Sequence, residues 1–399
     1  METLTRGIKL SSFGKQFFSC WGIFGCLCFA MVGFPARSTA VTNEPGLSPG
    51  GVISTGVADL LDRPAVQVHQ PGKCVLLDIT AAGDRLVAVG ERGIVVLSDD
   101  KGKTWRQVKM PTSVTLTAVT FPSPVHGWAV GHSGMVLHTK NGGESWERQL
   151  DGVAAARLAL EDAQAGLERL GADDERGKQL LSDAQLLVND GADKPFLDVS
   201  FINDKEGVIV GAYGLVFHTR DAGETWTPWL RRLDNSKGLH LYTLQIVGKR
   251  IAIAGEQGVF CCSIDGGETF KRIETPYRGS YFTSTVSPKG ELLIAGMRGN
   301  AFWYDATSET FTRIDVPIPV SFSVSITGAD GEIYLANQAG DILTYREQEK
   351  KFLPVNVPRM PLISSLTRLG NGNLVAVGLG GIMQLPLTET GAGKTGGPL

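Results

Sequence analysis

One local sentence recurs along this chain at a nearly fixed interval, and nothing else in the sequence constrains the fold as tightly. In its clearest form it runs from Val130 and Gly131 through His132, Ser133 and Gly134 into Met135, Val136 and Leu137: a strand, a tight glycine turn, a second strand. The first glycine of the sentence is Gly90, then Gly131, Gly211, Gly255 and Gly296, with Asn337 standing sixth and Gly378 seventh. The steps are 41, 80, 44, 41, 41 and 41 residues, so the single long step carries an insertion. Several short strands repeated at a period of about 40 residues are the signature of a β-propeller. Seven copies predict an all-β, seven-bladed ring over 64–387.

A second pattern follows in the next turn of each repeat. Ser98, Asp100, Gly102, Thr104 and Trp105 are echoed by Thr139, Asn141, Gly143, Ser145 and Trp146. The pattern returns at Thr219, Asp221, Gly223, Thr225 and Trp226, and again at Ser263, Asp265, Gly267, Thr269 and Phe270. The Asp or Asn side chain accepts N–H bonds inside its own turn, the glycine takes a positive φ, and the aromatic packs between blades. This Asp-box specifies the fold and says nearly nothing about chemistry. It decays in the fifth copy (Ala306, Ser308, Phe311) and the sixth (Gln348, Lys350, Phe352).

The ends of the chain differ from the ring. Arg6, Lys9 and Lys15 precede an apolar run from Phe17 to Phe34, and Ser38, Thr39 and Ala40 offer a small-residue cleavage site. Residues 1–40 therefore have the layout of a secretory signal, or of an anchor if uncleaved, and the ring is expected outside the cytoplasm, in a periplasm or a thylakoid lumen. Residues 41–63 read as an extended lead-in and 388–399 as a polar tail, whose echo of a phosphate loop at Gly391–Thr395 lacks the spacing and the following helix. Pro64 to His69 alternates apolar and polar side chains, and the seventh repeat stops one strand short. The expectation is that this N-terminal strand completes the last blade as a clasp, removing exposed edges.

Residues 151–194 form the insertion. Ala156, Leu160, Ala163, Leu167 and Leu170, then Leu180, Leu181, Ala184, Leu187 and Val188, fall at helical spacing and predict a helical hairpin. It carries ten acidic and five basic side chains, whereas the whole chain has 41 and 38. No basic stripe marks a nucleic-acid binder. Cys261 and Cys262 are neighbours on one strand and point to opposite faces, so they are poor partners for each other. Buried free thiols are expected there and at Cys74, with a bridge from one of the pair to Cys74 as the alternative.

No nucleophile–base pair, arginine triad or carboxylate pair can be assembled, so no catalytic residue is assigned. His138 and His218 share one repeat position without converging ligands, so neither a metal nor a cofactor is expected. In a propeller the Asp-box turns lie on one rim, and the glycine turns, the blade connections and the hairpin lie on the other. Candidate partner-binding residues on that second rim are Arg92, His132, Tyr213, Gln257 and Arg298, with Leu160, Leu167 and Arg169 on the hairpin. The bland alternative is that these are solvated turn residues.

The glycine turn followed by an Asp-box, clearest at Gly90–Trp105, Gly131–Trp146 and Gly211–Trp226, resembles the photosystem II stability and assembly factor family. The resemblance covers about 65–387 and implies a non-enzymatic lumenal or periplasmic propeller that holds a membrane-protein subunit during assembly. It also implies, in hosts without photosynthesis, an accessory of an RND-type exporter. The client would be an integral membrane complex or its exposed segments, and the protein itself a monomer. The competing class is a glycan-binding or glycoside-hydrolase-like Asp-box propeller.

Overall fold

A computed structural model describes residues 57–387 apart from Ala172, and the side chains from Leu60 onward. The expected signal segment, most of the lead-in and the tail lie outside the described residues.

Each repeat builds one antiparallel sheet, its strands following in chain order from the axis outward. Blade one comprises Leu76–Ala82, Arg85–Gly90, Val95–Ser98 and Arg106–Gln107. Blade two comprises Leu116–Thr120, Gly127–Gly131, Val136–Thr139 and Glu147–Leu150. The second strand is apolar along its length and wholly buried in most repeats, as in Gly127–Gly131 and Leu374–Gly378. Sheets covered on both faces demand such runs instead of alternation. The seven sheets succeed one another like propeller blades. Each innermost strand touches the next, and the last, Ile363–Arg368, touches the first.

Every innermost strand carries a β-bulge at the same place, one residue after its start. The extra residue is Leu77, Thr117, Leu197, Tyr242, Phe282, Ser323 or Ser364, always at the end of the strand nearest the glycine turns. A bulge re-aims the side chain it carries. In three blades that side chain reaches the next blade: Thr117 donates to Phe196 O at 2.7 Å, Ser323 to Ile363 O at 2.5 Å, and Ser364 to Leu76 O at 2.6 Å. The other junctions are bridged one residue further in. Asp78 accepts from Val119 N and Asp198 from Leu244 N, both at 2.8 Å, while Thr243 bonds Ser284 and Thr283 bonds Ser325. All seven junctions are thus tied at the axis.

The clasp expectation fails. Among the described residues the last blade has three strands, Ile363–Arg368, Leu374–Gly378 and Gly381–Leu385, and residues 64–69 do not pair with it. Residues 65–68 instead run beside the outer edge of blade one. Ala65 N donates to Met110 O at 3.2 Å, and the Gln107 side-chain amide bonds both Val66 O and Val68 N. The physical reason is burial: Leu61 and Ala65 pack with Val108, Met110 and Val114, a surface that alternation within the segment cannot reveal. A short helix, α1 (Val57–Asp62), precedes it, and Leu60 O accepts from Ser113 N. The ring is closed by Ser364, by Ser365 on Asp78, and by Gln384, whose Nε2 donates to Lys101 O.

The insertion is the expected helical pair, α2 (Gly152–Leu170) and α3 (Glu175–Asp190). Asp151 caps α2 by accepting Ala154 N at 3.0 Å. Ala155, Ala156, Ala159 and Ala163 are buried against Trp128, Phe196, Phe217 and Trp226 of blades two and three. Small residues let the helix lie close to the sheets. Two members of the expected apolar stripes do not bury: Leu170 is 65% and Val188 39% exposed. Leu170 is the last residue of α2, and Val188 follows the buried Leu187 and turns to solvent.

The three described cysteines are free, and Cys261 and Cys262 face blades three and five respectively.

Candidate docking rim

The glycine turns share one backbone geometry. In five blades the second residue of the turn is non-glycine and left-handed: Arg92 (φ 53°), Ser133 (55°), Tyr213 (56°), Gln257 (50°) and Arg298 (56°). Gly93, Gly134, Gly214, Gly258 and Gly299 follow, also at positive φ. Two successive left-handed residues make the type I′ turn that suits the twist of a hairpin. Three of these turns are pinned to the next blade through the backbone N–H of the left-handed residue. Arg92 N donates to Thr115 Oγ1 (3.3 Å), Tyr213 N to His240 Nδ1 (2.8 Å) and Arg298 N to Ser321 Oγ (3.1 Å). The backbone is held while the side chain points out.

Arg92, Tyr213, Gln257 and Arg298 are all exposed, as expected. His132 is one residue out of register with them and half-buried, and burial lowers its pKa. Its neighbour Ser133 holds the equivalent place and is buried beneath the hairpin. A Cβ on Gly134 would lie 2.5 Å from Gly152 Cα, so the turn of blade two and the start of α2 need that glycine to meet. On the hairpin, Leu160 packs on the ring and Leu167 lies against Gly177 of α3, whereas Arg169 is free to solvent. The two leucines therefore seat the hairpin. The hairpin leans over blade three: Arg231 pairs with Asp162 at 3.4 Å, and Arg176 donates to Leu233 O.

Sequence reasoning missed an aromatic chain beside this rim. Lys194 Nζ stands 4.7 Å from the Tyr213 ring centre, Tyr213 meets His240 edge-on at 5.0 Å, and His240 is 6.2 Å from Tyr242. Tyr242 then meets Phe282 at 5.3 Å. Tyr242 and Phe282 are bulge residues, so the chain runs from the turn of blade three to the channel mouth at blades four and five. Burial lowers the His240 pKa, opposed by Glu256. The readable signal was the bulge position itself, which aligns once the innermost strands are stacked on their glycines.

Asp78 and Asp198 were missed as well. Burial pushes Asp78 up to about 6 and Asp198 up to about 7. Both oxygens of each carboxylate already accept bonds, from Ile79, Ser365 and Val119 and from Val199 and Leu244, so these acids act as staples.

The opposite rim is built by the Asp-boxes. Asp100 accepts the Thr104 hydroxyl at 2.6 Å and Thr104 N at 2.9 Å, bonds that hold its pKa down to about 2. Trp105 Nε1 donates to Gly102 O at 3.0 Å. His138 bonds His126 and Gln149, and His218 bonds Glu206. No group of three or more His, Cys, Asp or Glu suited to a metal occurs among the described residues.

Comparison with known proteins gives a consistent kinship. A family profile described as "Photosynthesis system II assembly factor YCF48" matches residues 97–164 and 183–278. The chloroplast photosystem II stability/assembly factor HCF136 of Cyanidioschyzon merolae is 40% identical over 78 residues, 18% of each chain. The photosystem II assembly lipoprotein Ycf48 of Synechococcus sp. is 26% identical over 200 residues, 50% of this chain and 48% of that one. The matches thus span about half or less of these relatives' length. Among solved structures, one titled "YCF48 bound to D1 peptide" superposes with a TM-score of 0.57 at 17% identity, over 82% of this chain and 99% of its own. YCF48 from Cyanidioschyzon merolae gives 0.57 at 13%, over 78% and 95%. The WD40 propeller of Doa1 gives 0.58 at 11%, over 83% and 97%, so structural likeness at this level reports the fold.

Proposed function

We propose that this chain, a distant homologue of the Ycf48/HCF136 photosystem II assembly factors, is a non-enzymatic scaffold that holds a segment of a membrane-protein complex during assembly. The observation that carries the reading is the rim itself. Three of its four exposed left-handed residues, Arg92, Tyr213 and Arg298, sit on backbone pinned to the next blade, beside a docked helical pair and an aromatic chain. Rigid backbone with outward side chains lowers the ordering cost of binding. Aromatic and arginine side chains supply the contacts that interfaces favour. A relative solved with a D1 peptide supports a client that presents an extended segment. The client is photosystem II in a photosynthetic host and an RND-type exporter complex in a host without one. The protein works outside the cytoplasm, on the side reached through the N-terminal signal.

In-cell photocrosslinking from Tyr213 and from Arg169, with mass spectrometry of the adducts, tests this. One dominant membrane-protein adduct shared by both sites is expected. A soluble protein giving no adduct from either site would overturn it and turn attention to glycan arrays.

A further inference from the structure

The blades are equivalent in sequence position but not in how the gaps between them are filled. The residue three before each repeat glycine or its Asn337 counterpart faces the following blade: Val87, Trp128, Val208, Ala252, Leu293, Tyr334 and Val375. The residue seven after it lies on the adjoining strand; in blades two, three and four it is His138, His218 and Cys262. Between blades two and three this place is packed solid. Trp128 stacks on His138 at 4.3 Å and on Phe201 at 3.6 Å, and its Nε1 donates to Gln149. In blade three, His218 stacks on Trp229 at 4.2 Å. Between blades six and seven, Tyr334 is covered by Arg368.

Between blades four and five the same place holds Ala252 and Cys262, and a cleft of about 230 Å³ opens there. Its far wall is Leu292, Tyr304 and Ala306 of blade five, whose turn has lost the Asp-box. A cavity of about 150 Å³ suffices for benzene. The wall is chiefly apolar and the mouth is charged. Arg250 reaches across the mouth, its Nη2 3.6 Å from where a Cβ on Gly290 would stand, and forms no ion pair among the described residues. Lys271 pairs with Glu309 on the other side. The net charge offered at the opening is therefore the Arg250 guanidinium.

We propose that this cleft is a binding site for a small planar aromatic anion of about indole size. The equivalent space in blade two shows what fits: an indole ring lying flat between two blades. Ala252 stands at the repeat position of that tryptophan, and the cleft opens beside it. The uncompensated guanidinium at the mouth selects an anionic substituent over a cationic one. The site lies on the Asp-box side of the ring, away from the docking rim, so it stands or falls separately from the scaffold reading.

The test is isothermal titration calorimetry of the purified protein with indole-3-propionate, indole and tryptamine, which share a ring and differ in charge. The expected result is saturable one-to-one binding of the acid, about tenfold tighter than the amine. Arg250→Gln should bring the two within about twofold, since it removes only the charge. Ala252→Trp, which rebuilds the packing of blade two, should abolish binding; Ala306→Phe closes the same cleft from blade five if the first variant fails to fold. Circular dichroism and melting temperature confirm that the variants are folded. Absence of saturable binding in the wild type overturns the site. Undiminished binding in a folded, filled variant does the same, and equal binding of acid and amine overturns the anionic class.

Discussion

The junction between blades two and three and the junction between blades four and five begin from the same repeat and diverge in packing. The first is built from Trp128, His138, Phe201 and Trp226, and the helical pair is laid over its flank. The second is built from Ala252, Cys262, Leu292 and Tyr304 and keeps a cleft. Both blades four and two have the type I′ turn, the bulge and an Asp-box, so backbone geometry does not separate them. Side-chain volume at two positions does. The repeat secures the sheet, and the junctions are where individual blades acquire separate roles.

The sharpest way to break the contrast is Trp128→Ala. The indole is fully buried and stacked on both faces, so the loss should be about 3–5 kcal/mol, read as a fall in unfolding free energy in denaturant. If the first junction behaved like the second, the change would be far smaller.

Next in size is the titration of the axis against that of the junction. Asp78 and Asp198 have folded pKa values near about 6 and about 7, raised from the model-peptide range by burial. The native state then holds protons that the unfolded chain has released, so these groups favour the fold at low pH and lose that contribution as pH rises through about 4 to 7. His138, lowered to about 4 by burial, runs the other way: it supports the fold above about 6.5 and loses that support as pH falls toward 4. Melting temperatures from pH 5 to 8 should therefore shift with opposite slopes in Asp198→Asn and His138→Gln relative to wild type. Matching slopes would refute the assignment.

The smallest effect concerns the Asp-box. Asp221→Ala removes the acceptor for Thr225 N and its hydroxyl and should cost about 1 kcal/mol by thermal unfolding. Asp305→Ala in blade five, which removes the acceptor for Thr307 N and the Ser308 hydroxyl in a turn that has lost the Asp-box pattern, should lower the melting temperature by less than Asp221→Ala does.

Much of this architecture could be read from the chain. Glycine spacing, the Asp-box and the composition of 151–194 are local signals, and each is satisfied by bonds spanning a few residues, as when Ser98, Asp100 and Thr104 close their own turn. The exposed turn residues were legible to the extent that the turn was. Arg92, Tyr213, Gln257 and Arg298 share the left-handed position, whereas in blade two that position belongs to Ser133 and His132 lies one residue before it. The aromatic chain from Tyr213 to Phe282 was not legible, since its members come from three blades and meet only when the bulges are in register.

By itself the sequence determined the number of repeats, the strand order within each, the turn types and the helical insertion, because these depend on neighbours within about one repeat. The tertiary structure decided where residues 65–68 dock, how the ring closes, which acids are stapled at the axis and which junction stays open. Those outcomes turn on contacts such as Ser364 with Leu76, 288 residues apart, and on whether two side chains brought together from different blades fill the space between them. Complementary volume is a property of the pair, and no pattern along a single strand encodes it.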